Sequence, residues 1–235
     1  MRSAFDKLLA WFGVAITVAL LVAGGLLTWA SSFVGDQVYD QLSQQDITMP
    51  GGPALEDLPP EDKAALEPYA GQPMTTGPQA KAYADHYILA HMNAGGAELA
   101  EEVAAMGVDT STWKQPITYQ SAGAITREIA ADESLSEDVK TEATAAVSEF
   151  RNETLFKGST LRGLLLYGYA FATMGTIAGY AAIACWVGAA IFLVLTVLGF
   201  WHAGRAAKEE KAALGGGSVP PPATGSGSVP LTTTT

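Results

Sequence analysis

The sequence predicts an all-α membrane protein, with two transmembrane helices flanking a small acidic extracytoplasmic helical domain. Three observations carry this. Apolar residues crowd into two stretches, 8–34 and 161–201, each long enough for a bilayer core of about 30 Å. The 125 residues between Asp36 and Thr160 hold 21 Asp and Glu against 7 Lys and Arg, a net of −14 against −11 for the whole chain. Strand signals are nearly absent; only "QPITYQ" would serve, and it is too short to build a sheet.

The first stretch, "LLAWFGVAITVALLVAGGLLTWASSFV", carries no charge. Arg2 and Lys7 precede it, and Asp36 and Asp40 lie just beyond it. Positive-inside reasoning then places residues 1–7 in the cytoplasm, a transmembrane helix at 8–34, and the acidic segment outside. Ala30 could end a cleaved signal peptide, but the run far exceeds the usual apolar region of about 7–15 residues. Ala15, Ala19 and Ala23 recur every four residues, with Gly24 beside the last. Small residues at such spacing let a second helix approach closely.

Residues 35–76 read as a Pro-rich extracytoplasmic tether. Seven of the twelve prolines lie between positions 36 and 80. One short helix is predicted at 60–66, with Pro60 at its first position and acids in its first turn.

Residues 77–179 are predicted to form the helical domain. Pro78 opens a helix through "QAKAYADHYILAHMN", and "GAELAEEVAAMG" comes next as a second, closed by Gly107. "SAGAITREIA" is a weaker third. The clearest is "SLSEDVKTEATAAVSEFRNETLFKG". There Ser134 and Glu137 have capping-box spacing, and Leu135, Val139, Ala143, Ala146, Val147 and Phe150 make an apolar stripe; Gly158 is the expected end. A core of this size is marginal, so the domain is expected to lean on something else.

The 43 residues 160–202 would reach about 65 Å as a helix, twice the hydrocarbon thickness. A reversal near Gly179 would make two spans. No proline, polar cluster or basic residue supports such a turn, and unpaired turn backbone in hydrocarbon costs several kcal/mol per group. The expected solution is one outer helix at 160–179 running into a transmembrane helix at 180–201. After Trp201, His202, Arg205, Lys208 and Lys211 start a cytoplasmic tail at 202–235, basic and then Gly/Ser/Pro/Thr-rich and disordered. Arg2, Lys7, Trp201, Arg205 and Lys208 are thus the membrane-anchoring residues. Gly175 with Gly179 and Ala184 with Gly188 repeat small residues at four-residue spacing. Each pair is a candidate docking surface for the alanine stripe of the first helix.

Candidate chemistry is sparse. Asp85, His86 and His91 lie close in "YADHYILAHM". Two histidines five apart, however, sit about 140° around a helix, not on one face as a metal pair requires. One is expected on the core face and the other on the surface. Glu98, Glu101, Glu102 and the group Asp132, Glu133, Glu137, Asp138 lack EF-hand spacing and read as solvated faces. Arg162 reads as a snorkelling or ion-paired residue. Cys185, alone in an apolar run, leaves the outer domain without disulfides or a thiolate cluster. No catalytic residue, metal ligand set or cofactor is expected. The acidic segment disfavours nucleic acid. The expected partners are the lipid bilayer and, through the small-residue stripes, a second copy or another membrane protein.

The segments "TTGPQAKAYADHYILAHMNA" and "LFKGSTLRGLLLYGYAFATMGTIA…LGFWHAGR" resemble a group of uncharacterised actinobacterial membrane proteins, over roughly residues 1–211. The resemblance implies a span at each end, an outer helical domain between them and a long helix entering the membrane. It carries over no catalytic residue. Some sequences of that group bear an aromatic ring-opening dioxygenase label, but the 2-His-1-carboxylate iron site such chemistry uses is not arranged in this chain. The functional expectation is a non-enzymatic cell-envelope structural or interaction protein at the plasma membrane. The alternative is a three-span oligomeric transport or pore-accessory protein.

Overall fold

A computed structural model describes residues 2–215, and these are helical throughout apart from turns and short loops. The Gly/Ser/Pro/Thr-rich end of the expected tail, 216–235, lies outside the described residues. Among the described residues seven α-helices occur in order: α1 (Arg2–Ser43), α2 (Pro60–Leu66), α3 (Gly77–Ala82), α4 (Leu89–Ala105), α5 (Tyr119–Ala131), α6 (Glu137–Glu149) and α7 (Lys157–Gly215). A wider π turn, Tyr83–Ile88, joins α3 to α4 without a break. A second, Phe150–Phe156, joins α6 to α7. Gly95, Gly96 and Gly158 interrupt neither run, so Gly158 does not end a helix and 77–105 is one helical rod rather than two. Its far end stops where Gly107 takes φ +95°, a left-handed conformation cheap only for glycine.

The described residues divide into two compact units, 2–24 with 183–215, and 25–182. In the first, the start of α1 lies antiparallel to the end of α7. Ala10 faces Gly199, Gly13 faces Thr196, Leu20 faces Gly188 and Gly24 faces Trp186. The seam positions on α1 alternate in threes and fours, Ala10, Gly13, Thr17, Leu20 and Gly24, as a continuous helical seam requires. Thr17 satisfies its hydroxyl by donating to the Gly13 carbonyl at 2.8 Å. Large apolar side chains such as Trp11, Phe12, Leu195 and Val197 point away from the seam and are more than half exposed.

The second unit has two cores. The first gathers Val38 and Leu42 of α1, Leu165 of α7, Leu66 of α2 and Ala80 of α3 around Met49, Leu55 and Met74. The second is built by α4, α5, α6 and the π turn after α6, with Val103, Ile117, Ile125, Ala143, Val147 and Leu155 at its centre. Met92 packs against both. The long helices thus contribute to the first core, through Val38 and Leu42 of α1 and Leu165 of α7.

The expectation of an extended tether over 35–76 is overturned. Residues through Ser43 belong to α1, and Met49, Leu55, Leu66 and Met74 are at most 4% exposed. Three backbone bonds pin the ends of the Pro-rich loop: Met49 N–H to Gln72 O (2.8 Å), Met74 N–H to Ile47 O (2.8 Å) and Gly71 N–H to Met49 O (3.1 Å). Proline count misleads here because prolines at helix starts and turns rigidify a loop without preventing its few large apolar residues from packing. The helix at Pro60–Leu66 forms as expected. Ser134 does not cap α6; it closes a turn onto Asp132 Oδ1, and Ser136 caps the helix by accepting from Val139 N–H.

Candidate functional site

The polar chemistry of the second unit concentrates on an antiparallel seam between residues 77–92 and the first turns of α7. Thr76 caps α3 and Gln79 reaches back to the Thr76 N–H, a complete capping box that sets the start of the helix. Gly77 then lies directly on α7. A Cβ there would overlap Ala172 Cβ and lie 3.2 Å from Tyr169 Cα. Further along, Gly158 leaves room for Met92, whose Sδ would stand 2.6 Å from an added Cβ.

Between those two glycine contacts sits a carboxylate held by two cations. Asp85 Oδ2 accepts from Lys81 Nζ at 2.5 Å, and Asp85 Oδ1 accepts from Arg162 Nη2 at 2.7 Å. Burial alone would raise the Asp85 pKa. The hydrogen bonds from Lys81 and Arg162 outweigh it and hold the carboxyl below its ordinary range. Lys81 also lies over the Tyr169 ring, 5.7 Å from its centroid. Burial, with the neighbouring Tyr87 second, raises the Tyr83 pKa. With both oxygens occupied by cations, Asp85 is a structural anion and a poor base.

The two histidines do not join it. His86 Nδ1 donates to Asp62 Oδ1 at 2.7 Å, tying α2 to the π turn. His91 is exposed; its Nδ1 bonds the Tyr87 carbonyl at 2.8 Å and its ring lies 4.4 Å from that of Tyr87. His86 is thus the more buried of the two, its side chain 34% exposed against Asp62 at 17%, and His91 lies at the surface. Among the described residues no three His, Cys, Asp or Glu side chains converge as a metal site would need.

The small-residue positions divide. Gly175 lies where an added Cβ would be 3.0 Å from Val34 Cγ1, and Gly179 where it would be 3.0 Å from Ser31 Oγ, both within the second unit. Gly188 meets Leu20 in the first unit. Ala15, Ala19 and Ala184 are exposed and Ala23 is half-buried, so the seam of the first unit runs through Gly13, Thr17 and Gly24 instead. The cause is geometric. Uninterrupted steps of four drift about 40° per step around a 3.6-residue helix, whereas alternating threes and fours stay on one face. Among the residues expected to anchor the helices in a membrane, Arg2 starts α1, Lys7 and Lys208 are exposed, and Arg205 stacks on Trp201 at 4.8 Å.

One cavity of the second unit has no counterpart among the sequence expectations. A groove of about 540 Å³ runs between the last turns of α1 and the start of α7. Val38, Leu42, Leu165 and Gly168 lie along it, with Leu164 and Phe171 on one rim and Gln37, Gln41 and Gln45 on the other. Gln37 and Gln41, about one turn apart on α1, are the sequence signal that could have revealed a polar rim there. Comparison of the chain with protein-family profiles, curated proteins and solved structures finds no match to any of them.

Proposed function

We propose that this chain is a cell-envelope interaction protein: a helical unit held outside the plasma membrane by two transmembrane helices, with both termini in the cytoplasm and no enzymatic role. One observation carries the reading. The two helices that are long and apolar enough to cross a membrane, α1 and α7, also supply Val38, Leu42 and Leu165 to the first core. No linker separates the apolar stretches from the folded unit. The charge pattern supports the orientation, with Arg2 and Lys7 before the first stretch, Arg205 and Lys208 after the second, and a net of −14 between. Exposed residues such as Leu8, Trp11, Leu26, Trp29 and Ile183 are at least 60% accessible, an apolar surface that lipid would cover.

The three-span alternative needs a reversal near Gly179, and α7 is helical on both sides of that residue. Paired reporters, one active only inside and one only outside the cytoplasm, test the proposal when fused after Gly158 and after Thr235. An outside signal at Gly158 with an inside signal at Thr235 is expected. An outside signal at Thr235 would overturn the proposal and favour the three-span reading.

A further inference from the structure

We infer that the groove between α1 and α7 holds the acyl chain of a bilayer phospholipid, which deepens the reading above and rests on it. The groove is uncharged: none of the thirteen residues lining it is Asp, Glu, Lys or Arg, and five of them lie within the 36–160 segment whose net charge is −14. Its volume, about 540 Å³, is that of a small-molecule site rather than of a protein–protein face. Its position argues for the occupant. One end is lined by Phe33, inside the charge-free stretch of α1, and by Phe171, inside the charge-free stretch 163–204 of α7. From there the groove follows α1 to its end at Ser43, about 15 Å along the helix axis, and reaches Gln45 in the turn beyond, past the point where Asp36 and Asp40 end that stretch. A chain entering from the bilayer would thus have Val38 and Leu42 on one wall and Leu161, Leu164 and Phe171 on the other.

The walls need a cover. Leu164, Tyr167 and Phe171 are 63%, 68% and 52% exposed, three large apolar side chains on one face of a helix in the unit that carries the aqueous domain. Opposite them, Gln37, Gln41 and Gln45 are uncharged, so the second rim puts no ion beside a hydrocarbon chain. A free anion or an acidic peptide finds no cation on this lining.

The test uses the full chain reconstituted in phosphatidylcholine vesicles doped with a phosphatidylcholine bearing a photoactivatable diazirine near the end of one chain. After irradiation, adducts are mapped by mass spectrometry. Adducts at 41–45 and 161–165 are expected, in addition to those in 8–32 and 176–200. Leu164→Glu puts a carboxylate on an exposed rim position without disturbing a core. It is expected to lower the groove adducts about tenfold or more and to leave those in 8–32 unchanged. Gly168→Trp, which fills the floor, should do the same. Adducts confined to 8–32 and 176–200 would overturn the inference while leaving the membrane reading intact; no adducts anywhere would overturn both. Disulfide dimers of a Leu164→Cys variant in a Cys185→Ser background would also overturn it, by assigning the groove to a second copy.

Discussion

Asp85 and Arg162, 77 positions apart in sequence, meet at 2.7 Å across the seam between the π turn and α7. With Lys81 on the other carboxylate oxygen, the pair joins the start of the helical domain to the helix that carries the second apolar stretch. Asp85→Asn keeps the shape and removes the charge, leaving two cations facing an amide. A loss of about 1–3 kcal/mol at neutral pH is expected, measured by thermal or denaturant unfolding in detergent. The pH dependence has a definite sign. The folded-state pKa lies below the ordinary 3.8, so Asp85 stabilises the fold above that value and loses its contribution as pH falls through the lower folded one. The gap between wild type and Asp85→Asn should therefore close below about pH 4. A gap that persists unchanged at pH 2 would show that the destabilisation is not electrostatic.

Two glycines on helices predict opposite responses to the same substitution. Gly77 has Ala172 and the Tyr169 backbone against it, whereas Gly163 has nothing within 4 Å of an added Cβ. Gly77→Ala should destabilise by about 1–3 kcal/mol through overpacking. Gly163→Ala should stabilise by up to about 1 kcal/mol, because alanine loses less backbone entropy in a helix interior. Equal effects from the two variants would mean that 77 and α7 are not in contact.

Adjacent glycines in α1 make a second contrast. An added Cβ at Gly24 would be 3.2 Å from the Trp186 ring and 3.4 Å from Cys185 Cβ, while Gly25 faces open space. Gly24→Leu should part the helices of the first unit and raise their susceptibility to protease in detergent micelles, and Gly25→Leu should leave the digestion pattern unchanged. Protection of the first variant and cleavage of the second would place the seam on the wrong face.

The Pro-rich loop supplies a further prediction. Leu66 is fully buried, so Leu66→Ala should cost about 2–5 kcal/mol. An extended tether would tolerate the change with no shift in unfolding midpoint.

The helices of this chain were legible where periodicity and breakers agreed. α2 is set by Pro60 and its acids, and the α6 stripe from Leu135 to Phe150 packs into the second core as its spacing implies. Local signals failed where two of them competed. Ser134 and Ser136 both precede the same helix, and only the Asp132 side chain decides which of them turns and which caps. Glycine at 95, 96 and 158 is a weak breaker when neighbouring side chains fill the space it leaves, as Met92 does over Gly158. The site itself was less legible. Asp85 and Arg162 each look ordinary in sequence, and no local pattern states that the two segments pack antiparallel. The histidines drew attention by residue type, yet neither enters a cluster.

Accessibility of single cysteines along α7 to a membrane-impermeant thiol reagent, in a Cys185→Ser background and in intact cells, tests the central claim most directly. With one crossing, cysteines at 160–170 react from outside, those at about 180–200 are protected, and none near Gly179 reacts from the cytoplasm after permeabilisation. Two protected stretches separated by a cytoplasmically reactive site near Gly179 would contradict the account.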